Sequence, residues 1–573
     1  MANGMGSLYI ASSGIRNSQN ALNTTANNLA NVDTKGYVRQ QVYFSDKEYN
    51  YFGNAAVSRQ QAGLGLNIGD VIHARDMFLD KAYRAESGRQ AFYETSYNAV
   101  DEVWTFFQEM EGKAFQNSLT DLRVSFEEFS KDPSDAVKQN LVIQKASLFV
   151  TRSQGVYSGL KSYQNTINKR ISDDIDKINE LGNKIKELNL QISKIEAAGE
   201  ETAMSLRDER DVALDELGSL AKISYEEDYS GVVTVHLEGE EFVTETHVYE
   251  MGKKVDDITG FIDPYWPQLS NTDRGNYHSV FDFNIDISSE LNTDIGKLKA
   301  TVLSRGDHWG DYRDVEGMDE ETYLDTTDMS VMIQAQAQLD QLFHHIVTAI
   351  NDIYCPNVQG PSGVTYTDAK GNVIDLDTVK VLDTENCAVG VDGKIPPGEL
   401  FVRRGTERYT EITGSDGKTY YLYNEEDLTD TSKMYTINSC SVNEEFRKQE
   451  TLLPHLRQNG EVAQQLGEEL AALWSKDIVG LSPVDPEKGT IDAYYQKMVG
   501  GLATLGSVYE KTSSSLSGTV ATVDNQRQQV IGVSSDEELT NMIKYQNAYN
   551  ASSRFMTVIS DMLEHIITQL GTR

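Results

Sequence analysis

The sequence predicts an α+β multidomain fold: a terminal α-helical coiled coil, a long-helix bundle layer, and β-rich outer domains inserted into that layer. Three observations predict it. Both extreme ends of the chain carry seven-residue hydrophobic spacing. Residues 165–196 repeat isoleucine and leucine at helical steps. Two blocks, 223–330 and 355–442, contain alternating strand patterns and turn residues. At 573 residues the chain is too long for one core, so several domains are expected.

Residues 7–31 read as a helix. Leu8, Ile15, Leu22 and Leu29 recur every seven residues, with Ala11, Ser18 and Thr25 three places after the first three. This is a heptad with large residues at one seam position and small ones at the other, which lets a second helix come close. Asn occupies positions 3, 17, 20, 23, 27, 28 and 31, and Asn is a weak helix former. Such a helix is expected to fray alone. It should order when other chains cover its stripe and its amides bond between subunits. Asp33-Thr34-Lys35-Gly36 then ends it in a glycine turn, and Tyr37 to Phe44 read as β-like.

Residues 89–130 and 135–160 read as helical, and 165–196 form the strongest amphipathic run. Leu206-Arg207-Asp208-Glu209-Arg210-Asp211 opens a further helix carrying Leu214, Leu217 and Leu220. From Ile223 the pattern turns to strands, at Val232–Leu237 and at Phe281–Ile287. Residues 223–330 hold 25 acidic against 7 basic side chains, about half of the whole chain's excess charge, which fits an outward-facing domain. Helix returns over 331–353. A second β-rich block follows, with hairpin-turn residues at Asp368-Ala369-Lys370-Gly371-Asn372 and Ser415-Asp416-Gly417-Lys418. Helices resume from Asn443, broken at Ser482-Pro483-Val484-Asp485-Pro486. The last begins with the capping-box spacing of Ser535 and Glu538 and carries a seam through Leu539, Met542, Tyr549, Met556, Leu563 and Ile566.

The expected organisation is nested. Residues 1–36 with 533–573 form the terminal coiled-coil assembly domain. Residues 37–222 with 331–353 and 443–532 form the helical-bundle domain. Residues 223–330 form an acidic β-rich outer domain and 355–442 a second one.

Several function classes are excluded. A net charge of −37 disfavours nucleic acid and anionic membranes as partners. No apolar run is long enough to insert in a bilayer. The first 32 residues carry one charged side chain, Arg16, with no basic start and apolar block, so a cleaved signal peptide is not expected. Cys355, Cys387 and Cys440 fit neither a disulfide framework nor a zinc motif, and read as three separate thiols. His344-His345 lies mid-helix, where neighbours face different ways, so no metal is expected there. Arg305-Gly306-Asp307 reads as a chance loop tripeptide, and acidic pairs such as Asp173-Asp174 read as solvated faces. No catalytic residue, no cofactor and no metal is expected, and the chain reads as a non-enzyme.

Ala26-Asn27-Asn28-Leu29-Ala30-Asn31, followed by Thr34, Gly36 and Tyr37, resembles the N-terminal signature of bacterial flagellar rod, hook and hook-associated axial proteins. The run Glu537 to Arg554 resembles the matching C-terminal signature. The length, the 165–196 helix with Leu206–Asp211, and Leu339-Asp340-Gln341-Leu342 leading to Ala349-Ile350-Asn351 resemble the hook-associated members most. The resemblance implies a structural subunit at the junction between hook and filament, exported unfolded by the type III route and located in the extracellular flagellum. It implies a homo-oligomeric ring. The other implied partners are the hook protein, a second junction protein towards the filament, and a cytoplasmic export chaperone. The assembly interface is expected at Leu8, Ile15, Leu22, Asn27, Asn28, Leu29, Asn31, Leu539, Met542, Tyr549, Met556, Leu563 and Ile566. The chaperone is expected on Leu539, Met542, Met556 and Leu563. The alternatives are a hook or other rod-type axial subunit, or an axial protein whose outer domain is an adhesin or enzyme.

Overall fold

The computed structural model describes residues 2–570 other than 35, 47–49, 53–59, 63–64, 109–114, 198–201 and 369–370. Lys35, Ala369 and Lys370 of the expected turns therefore lie outside the described residues.

The chain begins with α1 (Ala2–Ala30) and an antiparallel ribbon in which β1 (Gln40–Asp46) pairs with β4 (Leu66–His73), while β2 (Asn50–Phe52) pairs with β3 (Gln60–Ala62). The helical layer follows as α2 (Met77–Gln108), α3 (Phe115–Lys131), α4 (Ala136–Glu196) and α5 (Met204–Leu220). The sequence expects two helices over 135–196, whereas α4 is continuous for 61 residues, roughly 90 Å. Asp135 caps it by accepting from the Val137 N–H. No proline interrupts it, Gly155 and Gly159 are carried within the helix, and the Gln164 side chain is used, donating to the carbonyls of Arg305 (2.7 Å) and His308 (2.8 Å).

One face of α4 buries Ile167, Ile171, Ile175, Ile178, Leu181 and Ile185 in a core shared with α2, α5 and α8, and Ile192 is buried further along the same helix. Its other polar positions reach into both β blocks. Asn189 bonds the N–H and the carbonyl of Val233, and Asn179 does the same for Met251. Asn168 accepts from the Ile262 N–H (2.7 Å), and Gln154 donates to the carbonyls of Ile437 and Cys440 (both 3.1 Å). These amides pair edges of strand backbone that would otherwise be buried unsatisfied.

The first block holds a sheet in the order β5 (Ile223–Glu227), β6 (Val233–Leu237), β7 (Glu240–Val243), and a ribbon of β8 (Gly252–Val255) with β9 (Ile262–Tyr265). Phe281–Ile287 does not form the strand its alternation predicts. Asp282 instead accepts from the Asn284 N–H (3.0 Å), turning the backbone, while Phe281 is buried and stands 5.9 Å from the Phe283 ring. The rest of this block is α6 (Lys297–Arg305), α7 (Glu320–Thr326) and irregular chain.

Next come α8 (Val331–Tyr354) and the second block. Its strands are β10 (Asn357–Gln359), β11 (Thr365–Thr367), β12 (Val373–Asp375), β13 (Lys380–Leu382), β14 (Phe401–Arg403), β15 (Tyr409–Thr413), β16 (Thr419–Tyr423) and β17 (Cys440–Val442). They form a four-stranded sheet β10-β13-β16-β15 and the pairs β11-β12 and β14-β17. Gly417 takes φ +79° in the β15–β16 turn. The three cysteines are buried and free. Short α9 (Glu444–Lys448) and α10 (Gln464–Ala472) lead to α11 (Ile491–Ile531), which packs along α2, and to α12 (Ser535–Leu570).

A line of buried charges fastens α2, α5 and α11 together. Arg84 pairs with Asp211 (3.0 Å) and Asp215 (2.7 Å). Arg527 on α11 pairs with Asp80 (2.6 Å) and Asp215 (2.7 Å) and lies over the Tyr83 ring. Arg75 joins Asp80 to Asp211.

Candidate assembly interface

α1 and α12 pack side by side. A Cβ added at Gly14 would fall 2.5 Å from the Ser552 Oγ, and Asn28 meets Glu538, so the two helices run antiparallel. That register sets the start of α1 opposite Glu564, and the last turns of α12 run past it. Small residues let the helices approach, as the sequence predicts: Ala11, Ser18, Ala21 and Thr25 are buried, while Leu8, Ile15, Leu22 and Leu29 lie half-buried on the flank. On α12 the heptad Met542, Tyr549, Met556, Leu563 is half-buried and Ile559 is buried between them.

The opposite side of α12 is apolar and open. Ile543, Phe555, Val558 and Met562 are exposed, Met562 at 60 %, while Ile567, in line with Leu563, is 71 % exposed where α12 has run past α1. Leu539 (46 %) and Ile566 (45 %) belong to this open side and not to the covered one. Sequence reasoning traced one seam and missed the second stripe, although Phe555, Val558, Met562 and Ile566 repeat at three- and four-residue steps. Tyr9 and Ile10 expose further apolar surface on α1.

Where the pair meets the rest of the chain, Asn28 is the centre of a closed set of bonds. Its Nδ2 donates to the Gln40 carbonyl (2.9 Å) and to Glu538 (3.2 Å). Its Oδ1 accepts from the Tyr37 hydroxyl (2.8 Å) and the Gln40 N–H (3.1 Å). Arg39 bridges Glu537 (2.7 Å) and Glu538 (2.8 Å), and its N–H donates to the last carbonyl of α11, Ile531 (2.9 Å). Asn17 donates to the Leu66 carbonyl (2.6 Å), Asn27 to the Tyr37 hydroxyl (3.2 Å), and Asn31 back to the Asn27 carbonyl (2.9 Å). The amides expected to bond between subunits thus make bonds within the chain. They join the N-terminal helix, the ribbon and the C-terminal helix at one point.

Gly36 takes φ +82° and lies so close to α5 that a Cβ would sit 2.3 Å from Val212. The turn therefore needs glycine for both conformation and approach. Beside it the Val38 N–H donates to Asp208 (3.1 Å). Burial pushes the Asp208 carboxyl up to about 7, and the Val38 bond and Arg75 offset part of this. Tyr37 is pushed up to about 12 by burial and by Asp208 and Glu538.

The Asp208 shift has a defined sign. The folded carboxyl keeps its proton up to about 7, while the unfolded one releases it near about 4. The contribution of the bound proton to stability is full below about pH 4 and is lost as pH rises through about 7. Asp208→Asn keeps an acceptor for Val38 and does not titrate. Between about pH 4 and about pH 8 its stability should gain on the parent by up to about 4 kcal/mol, read by urea titration. A difference independent of pH would remove Asp208 as the titrating group.

No helix among the described residues is long and apolar enough to cross a membrane. The Arg305-Gly306-Asp307 tripeptide is not displayed, since Arg305 is buried and bonds Asn168, Ile262 and Asp263.

Three protein families match parts of the chain. The family described as flagellar hook-associated protein FlgK helical domain matches residues 100–359. The flagella basal body rod protein family matches residues 8–37, and the flagellar basal body rod FlgEFG protein C-terminal family matches 527–570. Flagellar hook-associated protein 1 of Bacillus subtilis is 22 % identical over 565 residues, covering 96 % of each chain. That of Salmonella typhimurium is 20 % identical over 587 residues, covering 97 % of this chain and 98 % of its own. A solved flagellar hook junction protein FlgK from Burkholderia pseudomallei aligns with 78 % of this chain and all of its own, at 13 % identity and a TM-score of 0.47.

Proposed function

The chain belongs to the flagellar hook-associated protein 1 family, and on that premise we propose that its terminal helix pair is the surface through which it polymerises. It is a structural subunit of the flagellar hook–filament junction, a component of the flagellar axis that meets hook and filament. The observation that carries the assembly reading is the open apolar stripe along the C-terminal half of α12, Phe555, Val558, Met562 and Ile566, with Leu539 and Ile543 as a separate exposed pair near its start. An exposed stripe of this length on a helix already paired on its other side is material for a subunit contact. A ring of copies covers it from both flanks. Before export the same stripe needs cover in the cytoplasm, and a chaperone that takes the C-terminal helix supplies it.

The reading differs from the sequence expectation in one respect. Leu539 and Ile566 lie on the face offered to neighbours, while Met542, Tyr549, Met556 and Leu563 help hold the pair together and border that face. The chain acts by binding and shape, and it is proposed to carry no enzymatic activity. Residues 100–359 match the hook-associated helical domain, which favours the junction over a plain rod or hook subunit.

The test is deletion of the gene, with imaging of the cell surface and assay of the medium for filament subunits. Hooks without filaments, with filament protein lost to the medium, are the expected result. Normal filaments would sink the reading, and loss of the hooks as well would move the subunit to an earlier stage.

A further inference from the structure

The paired histidines of α8 do not stand alone. Glu316 follows the 3-10 turn Tyr312–Asp314 and comes back over α8, where its carboxylate contacts the His345 Nε2. One ligand atom from each of Glu316, His344 and His345 lies within 4.8 Å of the other two. The sequence argument that helix neighbours diverge fails here because of how the rings are held. His344 stacks flat on Tyr312, with centroids 4.0 Å apart at 17°. The His345 ring stands at 79° to it, 5.6 Å away.

The support around His344 leaves one of its nitrogens ready to bind. Its Nε2 contacts Glu426 at 2.8 Å. Glu426 is itself fixed by the Tyr312 hydroxyl (3.0 Å) and the Tyr435 N–H (2.7 Å). A carboxylate in that position keeps the imidazole proton on Nε2 and leaves the lone pair on Nδ1. That Nδ1 is buried and has no hydrogen-bond partner. A buried polar nitrogen without a partner is costly, and a carboxylate–histidine arrangement of this kind is how proteins orient an imidazole towards a cation.

We propose that Glu316, His344 and His345 bind one late first-row divalent cation, zinc in chemistry, with Glu426 as the positioning carboxylate behind His344. Two imidazoles and one carboxylate suit zinc and its neighbours rather than calcium or magnesium, which prefer oxygen ligands. The side chains of His345 and Glu316 are 27 % and 31 % exposed, so an ion reaches the site from solvent and water completes its coordination. Metal–ligand distances of about 2.0–2.2 Å ask for a small closing of the three groups, and Glu316 and His345 are already in contact. The bound ion ties α8 of the helical layer to the acidic block through Glu316, and through Glu426 to the second block. The inference does not rest on the flagellar reading.

The test is titration of the full chain, purified through a chelator, with zinc by calorimetry and with cobalt by visible absorption. The expected result is one ion per chain with Kd at or below about 10 μM, together with cobalt bands typical of nitrogen and oxygen ligands. Glu316→Gln and His345→Ala should each weaken binding at least about tenfold, and Glu426→Gln about 10- to 100-fold. His565→Ala, on exposed α12, should leave it unchanged. The proposal is overturned if the parent protein binds no stoichiometric zinc, or if Glu316→Gln/His345→Ala together leave the affinity and the cobalt spectrum as they were. Circular dichroism of each variant establishes that the fold persists, and the cobalt spectrum of the parent reads the ligands without any substitution.

Discussion

Replacing Val558 and Met562 together by aspartate abolishes incorporation into the flagellum and leaves the monomer folded. Both side chains are on the open side of α12, so the isolated chain loses about 0.5 kcal/mol of helix propensity at Met562, close to none at Val558, and little else. In the proposed assembly the same positions face a neighbour. An aspartate there has no partner and loses its water, at several kcal/mol per site. Two per subunit oppose the contact that the proposed assembly needs. Expected outcomes are an unchanged circular dichroism spectrum of the purified variant and hooks without filaments, whether or not loss of the chaperone's seat on the same stripe also lowers the amount secreted. Filaments in normal number would show that this stripe is not a subunit contact.

Arg527→Ala costs the purified chain about 3–5 kcal/mol. The guanidinium faces Asp80 and Asp215, of which Asp80 is nearly inaccessible. Removing it leaves three carboxylates, Asp80, Asp211 and Asp215, to share Arg75 and Arg84, so one buried negative charge goes unmatched. The loss also frees the end of α11, the element from which α12 departs. Urea titration followed by circular dichroism reads the change, and a loss below about 1 kcal/mol would mean the pairs contribute no more than surface salt bridges.

Much of this architecture was legible in the sequence because burial is periodic there. The isoleucines from Ile167 to Ile192 announce a helix whatever surrounds them, and the small Ala11, Ser18 and Thr25 announce a close partner. What stayed hidden depends on contacts between distant residues. Nothing local to Asn28 says that Gln40 and Glu538 will meet it. Nothing local to His344 says that Glu316 and Glu426 converge on it. Phe281–Ile287 alternates like a strand, yet a strand requires a neighbouring edge, and Asp282 turns the backbone before one is reached. The open stripe of α12 was present in the spacing of Phe555, Val558, Met562 and Ile566. A single-seam reading passed over it because a helix covered on one side and needing cover on the other carries two overlapping patterns.

The unbroken α4 has a mechanical meaning. It is a beam with no joint along its 61 residues, bonded along its C-terminal half to the acidic block by Asn168, Asn179 and Asn189 and in its N-terminal half to the second block by Gln154. Torque applied to the base of such a subunit turns both outer blocks in step. Compliance is confined to links outside the beam, such as Gly532–Ser534 between α11 and α12. A part that joins a curved coupling to a stiff propeller needs this division: the twist transmitted whole, the bend absorbed at the root.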